Sequence, residues 1–298
     1  MFTAFIATLP STLEQGRIYA ILALGIMLTY SILDFPDLTV DGSFPLGGAV
    51  SSSLVIAGVN PVLALVIATL CGMAAGLLTG LIHVKLKVRA LFSGIIMMTA
   101  LYSVNLRITG GSSLLSIPRT AVTLFRNNTL VSALPQGVQV LIIAAFLVLL
   151  IKIILDLLLK TRYGLLLRAV GDNATVVTGL ARDKGNVVIS GLVIANGLVA
   201  LCGAVLCQQQ RLFDLSMGTG AMVLALASVI IGVNLFKRVE WIKSTTKAVI
   251  GALVYKACYS LAIALGLKPG DMKLVTAVLF LAILSTWLFG KKGAQRHA

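Results

Sequence analysis

Residues 161–186 read TRYGLLLRAVGDNATVVTGLARDKGN and lie between two long apolar runs, a polar island in a chain that is otherwise mostly apolar. With Lys160 just ahead of it, the island gathers Arg162, Arg168, Arg182 and Lys184, which places it outside the hydrocarbon on the cytoplasmic side, where basic loops accumulate. Leu165, Leu166, Leu167, Val170, Val176, Val177 and Leu180 recur through it at spacings suited to short amphipathic helices, broken at Gly171 and Gly179. Two readings fit: a docking surface for a partner, or an ordinary basic loop.

Composition identifies the solvent around the island. The 298 residues are 58% hydrophobic and 11% charged, with a mean hydropathy of +1.03, far outside the range of soluble domains. The expected fold class is an all-α polytopic membrane protein. A net charge of +14 would point to nucleic acid in a soluble chain, but here the basic residues sit at the ends of apolar runs and set orientation, so no nucleic-acid partner is expected. Cys71, Cys202, Cys207 and Cys258 form no C-x-x-C pair and have no histidine cluster nearby; they read as small core residues, with no metal site. No basic segment precedes the first apolar stretch, so a cleaved signal peptide is not expected.

A span needs about 20 apolar residues, fewer when broken. Nine are expected, near 16–33, 44–59, 61–82, 88–106, 136–159, 187–207, 218–235, 247–266 and 272–290, the second and seventh short enough to be half-spans. With the N-terminus outside, fifteen Lys and Arg fall in inside segments against seven outside, which favours N-out and C-in. Lys85, Arg168 and Lys243 are then cytoplasmic, and Asn128 and Lys268 external. The bend 34–43 is anomalous, with three Asp and no basic residue, and is expected to be buried rather than a plain loop.

An internal repeat supports that expectation. Asp37-Leu38-Thr39 precedes Ile56-Ala57-Gly58-Val59-Asn60, and Asp214-Leu215-Ser216 precedes Ile230-Ile231-Gly232-Val233-Asn234 at a similar distance. The copies begin five spans apart, and an odd offset inverts one relative to the other, a device of alternating-access proteins with sites at broken helices near the midplane. The chain is then one transmembrane domain, 1–298, with repeat 1 over 16–106, a connecting span 136–159, the polar region 160–186 and repeat 2 over 187–290. Asp37, Thr39, Asp41, Ser43, Asp214 and Ser216 are the candidates to line or gate the path, because a carboxylate in hydrocarbon costs at least about 2.5 to 3.5 kcal/mol and must face water, a helix N-terminus or a partner. Asp41-Gly42-Ser43 equally fits an N-cap of the second span.

Gly72, Gly76 and Gly80 lie one turn apart in the third span, where small residues let a neighbouring helix approach closely. Packing within the chain is favoured over a dimer seam. The polar segment 108–136 is the longest external element, either a platform for a delivering protein or a solvated loop. No G-x-x-x-x-G-K-[ST] loop and no H-E-x-x-H occur, and His83 and His297 sit at span ends, so no enzyme site is expected.

Thr161-Arg162-Tyr163-Gly164, Arg168-Ala169, Gly171, Asn173 and Gly179 resemble the loop that precedes the later spans of branched-chain amino-acid and ribose type permeases of ABC importers. Residues 16–53, GRIYAILALGIMLTYSILDFPDLTVDGSFPLGGAVSSS, resemble the first span of that family, its polar bend and the small-residue helix that follows. The resemblance implies a multi-pass permease subunit in the bacterial cytoplasmic membrane, acting as a dimer, preferably a homodimer, with ABC ATPase subunits and an extracytoplasmic solute-binding protein. It implies that those loop residues form the ATPase-coupling region, that ATP and Mg bind the ATPase and no cofactor binds this chain, and that the solute is small and polar, an amino acid before a sugar. The alternative is an ion- or proton-coupled secondary transporter, whose attraction is the repeat-related pair Asp37 and Asp214.

Overall fold

A computed structural model describes residues 2–127, 138–172, 184–237, 239, 241–265, 274, 276–278 and 280–281, with side chains from residue 10 onward. The chain enters as α1 (Phe2–Ile26), which runs on as a π-helical turn, Met27–Ile32. A tight bend leads into α2 (Val40–Ile56), followed by α3 (Pro61–Lys85) and α4 (Ala90–Ile108). After the short strand β1 (Leu114–Ser116) come α5 (Gln139–Lys160), the short α6 (Arg162–Asp172) and α7 (Lys184–Gln210). Strand β2 (Leu212–Asp214), a 3-10 turn (Leu215–Gly218), α8 (Ala221–Leu235) and α9 (Ser244–Ala264) complete the described elements.

Among the described residues, seven helical segments are long and apolar enough to cross a membrane: Pro10–Ile32, α3, α4, α5, α7, Leu215–Leu235 and α9. With α2, of 17 residues, they account for eight of the nine expected spans; the ninth lies mostly outside the described residues. The second span starts at Val40 rather than 44. Pro45 sits inside the helix, where its missing N–H leaves the Asp41 carbonyl without a helical donor.

Polarity sorts the helices into layers. α3, α4 and α5 present apolar side chains outward, among them Leu70, Phe92 and Phe146, as lipid-facing helices do. α2 and α7 are buried on nearly all sides and form the centre. The most extensive contact in the bundle is α3 on α7, and the glycine stripe explains it. A Cβ at Gly72 would lie 2.6 Å from the Asn196 carbonyl oxygen, and one at Gly80 would lie 2.9 Å from the Ile189 Cα, while Gly76 faces the Leu192 carbonyl. The stripe makes a close contact within the chain.

The two copies of the repeat correspond at their Asp-led turns but not at their ends, for Gly58 lies in a turn after α2 and Gly232 inside α8. Asp37 Oδ1 accepts from Thr39 N at 2.9 Å and Asp214 Oδ1 accepts from Ser216 N at 2.8 Å, so Asp-Leu-Thr and Asp-Leu-Ser make the same side-chain turn before α2 and α8. Large contacts also cross between copies, α3 on α7 and α1 on α9. The segment expected as an external loop carries an element not foreseen: β1 pairs antiparallel with β2, Leu114 opposite Asp214. Three alternating residues are too short a signal to read as a strand.

Candidate functional site

The N-termini of α2 and α8 meet inside the bundle. Gly220 enters α8 with φ 85°, a left-handed conformation that glycine adopts without strain, and this breaks the span after its 3-10 turn. The free N–H groups of the new helix then face Asp41, whose Oδ2 accepts from Gly220 N at 3.1 Å and Oδ1 from Met222 N at 2.8 Å. Asp41 therefore caps the helix of the other repeat, not its own; the N-cap of α2 is Thr39, whose side chain makes no capping bond. Gly218 packs directly on the Asp41 carbonyl that Pro45 left without a donor.

Beside this junction lies a cavity of about 520 Å³ whose lining includes Asp41, Tyr102, Asn105, Asp214, Ser216 and Thr219, with Met98 and Thr99 from α4. Three of the six expected pathway residues, Asp41, Asp214 and Ser216, thus share one chamber. Asp37, Thr39 and Ser43 are buried behind it in a polar cluster. Asn196 donates to Asp37 Oδ2 at 2.7 Å and accepts from Ser43 Oγ at 2.7 Å, and the Thr39 and Thr79 hydroxyls lie 2.9 Å apart. The acidic bend is buried only in part: Asp37, Thr39 and Ser43 are buried as expected, with Asp37 held by the cluster, whereas Asp34 and Pro36 are exposed and Asp41 is half-buried.

Asn196, Asn105 and Lys256 were missed as site residues, although each is an isolated polar group in an apolar run, the signal that marks interior-facing positions. Asn105 Nδ2 donates to the Gly42 carbonyl at 3.2 Å and so fixes α4 against the start of α2. At the end of the bundle where α2 meets α3, Gln208 ties segments together in a similar way, for its Nε2 donates to Ser51 Oγ and the Pro61 carbonyl, and its Oε1 accepts from Leu124 N. Arg211 donates to the carbonyls of Pro118, Arg119 and Ala121, so the segment after β1 is tied down over the end of α7.

At the other end, α6 separates two faces. Gly164, Leu167 and Val170 are buried, whereas Thr161, Arg162, Leu165 and Arg168 are exposed and Ala169 and Gly171 lie between. Gly164 packs on the backbone of Leu158 and Leu159, and Gly171 on the Ile32 carbonyl and Leu33, so a side chain at either position would collide with backbone. Tyr163 donates to Ser190 of α7; burial raises its phenol above the ordinary value and that bond opposes the rise. Asn173 and Gly179 lie outside the described residues, as do Asn128 and Lys268.

Comparison with known proteins agrees with this architecture. The family described as branched-chain amino acid transport system / permease component matches residues 9–284. The chain is 41% identical to a tyrosine transport system permease protein of Clostridioides difficile (strain R20291) over 93% of its own length and 90% of that protein. It is 31% identical to an uncharacterized protein of Rickettsia prowazekii (strain Madrid E), over 93% and 97% of the two chains. It is 30% identical to a ribose import permease protein of Escherichia coli (strain K12), over 76% and 69%. No solved structure matches it significantly. A multi-pass bundle with broken helices, a polar chamber at their junction and a match along nearly its whole length assign the chain to the permease components of branched-chain amino acid transport systems, the transmembrane subunits of importers for small solutes.

Proposed function

We propose that the chain imports an amino acid, with the chamber between α2, α4 and the 3-10 turn before α8 as its path. The observation that carries this reading is the convergence of Asp41, Asp214 and Ser216 from the two repeats on one cavity lined, among the described residues, by no basic one. Two carboxylates suit an ammonium group, and Tyr102 and Met98 suit an apolar or aromatic side chain. The kinship with a tyrosine permease at 41% identity, against 30% with a ribose permease, favours an amino acid over a sugar.

In this reading two copies pair, preferably as a homodimer, with two ATPase subunits that hold ATP and Mg, while a solute-binding protein delivers the amino acid to the external side. The chain itself performs no catalysis. The ATPase docks on residues Thr161, Arg162, Gly164, Arg168, Ala169, Gly171, Asn173 and Gly179. Its motion passes from Gly171 to Ile32 and Leu33, which it touches, and along the bend to Asp37, Asn196 and Ser43. Repeats 16–106 and 187–290 are inverted and rock about the α2–α8 junction, joined by span 136–159. Membership of this family leaves no need for an ion-coupled carrier. The experiment is co-purification with the ATPase and reconstitution in proteoliposomes: ATP turnover should rise on adding binding protein and amino acid together, and turnover indifferent to both refutes the reading.

A further inference from the structure

A second cavity, of about 300 Å³, lies beyond the Thr219–Gly220 segment, and Thr219 lines both chambers. Its walls include Tyr19 of α1, Met217, Gly220, and Lys256 and Tyr259 of α9. Lys256 is only 5% exposed, in the middle of a membrane-spanning helix. The ion pairs among the described residues both involve Asp156, so no carboxylate there neutralises Lys256. Its Nζ sits 3.7 Å from the centre of the Tyr19 ring and 4.8 Å from that of Tyr259, and donates to Gln15 Oε1 at 3.5 Å.

An ammonium has three donors, and one long bond to an amide with two ring faces leaves it short of partners. A lysine inside a span is costly unless it pairs or serves a ligand. The first chamber is acidic and this one is cationic, with the backbone of Gly220 lining the second while its N–H is held by Asp41 in the first. We infer that the Lys256 chamber is a binding station for the carboxylate of the transported solute, with Tyr19 and Tyr259 flanking an aromatic or apolar side chain. This rests on the amino-acid reading above and deepens it: the station selects molecules that carry a carboxylate, where the acidic chamber selects the ammonium.

The test uses the permease–ATPase complex in nanodiscs without binding protein, so that selection by the delivering protein does not mask selection by the permease. Binding of L-tyrosine, L-tyrosinamide and 3-(4-hydroxyphenyl)propionate is measured by calorimetry on the wild type, Lys256→Gln and Lys256→Arg. The expected result is that the wild type prefers L-tyrosine to its amide at least about ten-fold, equivalent to about 1.4 kcal/mol. Lys256→Gln should lose that preference and the binding of the propionate, and Lys256→Arg should restore both. Equal wild-type affinity for L-tyrosine and L-tyrosinamide overturns the proposal without recourse to any variant, so misfolding of Lys256→Gln does not protect it. Propionate binding abolished when phosphatidylglycerol replaces phosphatidylcholine in the disc assigns the lysine to a lipid headgroup and also overturns it. Absence of any amino-acid uptake by the fully assembled wild-type transporter defeats the amino-acid reading instead, whereas uptake with unaltered amide discrimination in Lys256→Gln defeats this inference alone.

Discussion

Asp41 in the first turn of α2 accepts a 2.8 Å hydrogen bond from the backbone of Met222 in the first turn of α8, so one repeat caps the helix of the other. A carboxylate at a helix N-terminus satisfies free N–H groups and complements the helix dipole. The same residue lines the larger cavity, which gives it two separable roles.

Asp41→Ala removes the cap and is expected to cost about 0.5 to 2 kcal/mol of stability, read as a lower thermal midpoint in detergent. Asp41→Asn keeps an acceptor but loses the charge, so it should assemble with the ATPase and change amino-acid selectivity. If Asp41→Asn and Asp214→Asn both transport with unchanged rate and selectivity, the chamber does not read the ammonium group.

Asn196→Ala takes the donor from Asp37 and the acceptor from Ser43, and leaves buried polar atoms unmatched. The expected loss is about 1 to 3 kcal/mol. The double variant Asn196→Ala, Asp37→Ala removes both partners of the Asn196–Asp37 bond and should be less destabilised than the sum of the singles. Strict additivity would deny the coupling.

At the α3–α7 contact, Gly76→Val places a branched side chain against the Leu192 carbonyl, where overpacking costs about 1 to 3 kcal/mol or more. The yield of folded protein should fall. Gly58→Ala makes a control of a different kind: nothing stands within 4 Å of the added methyl, and only the backbone at φ 82° resists it. Gly76 lies inside a regular helix and carries no such strain, so a Gly76→Val variant that folds in full yield would deny that the close approach of α7 needs glycine there.

Arg168 is exposed on α6 and its charge offers a fixed fork of donors to a partner. Arg168→Glu should insert and fold normally yet lose most solute-stimulated ATP turnover. Full turnover and full transport in that variant would remove Arg168 from the coupling surface.

Labelling of single cysteines, on a background lacking Cys71, Cys202, Cys207 and Cys258, should mark positions 85, 168 and 243 from the cytoplasmic side and 128 and 268 from outside. Modification of position 128 only from the cytoplasm would reverse the orientation that the basic residues indicate.

The solvent, the fold class and most of the spans are legible in the residues alone, because hydropathy over some twenty residues is a summed signal that tertiary context hardly alters. The glycine stripe as a close helix contact and the two Asp-led turns are legible too, since both depend on local spacing. Which helix each group meets is a different matter, settled by the packing of the bundle. Asp41 reads locally as a cap for its own helix, and it caps α8 because Gly220 breaks a later span and turns free N–H groups toward it. Asn196, Gln208 and Lys256 stand alone in apolar runs, which marks them as interior without naming their partners. Most of those partners come from segments far away along the chain, and only the assembled bundle brings Asp37 within 2.7 Å of Asn196 and Lys256 onto the ring of Tyr19, whereas Tyr259 is its neighbour three residues on along α9.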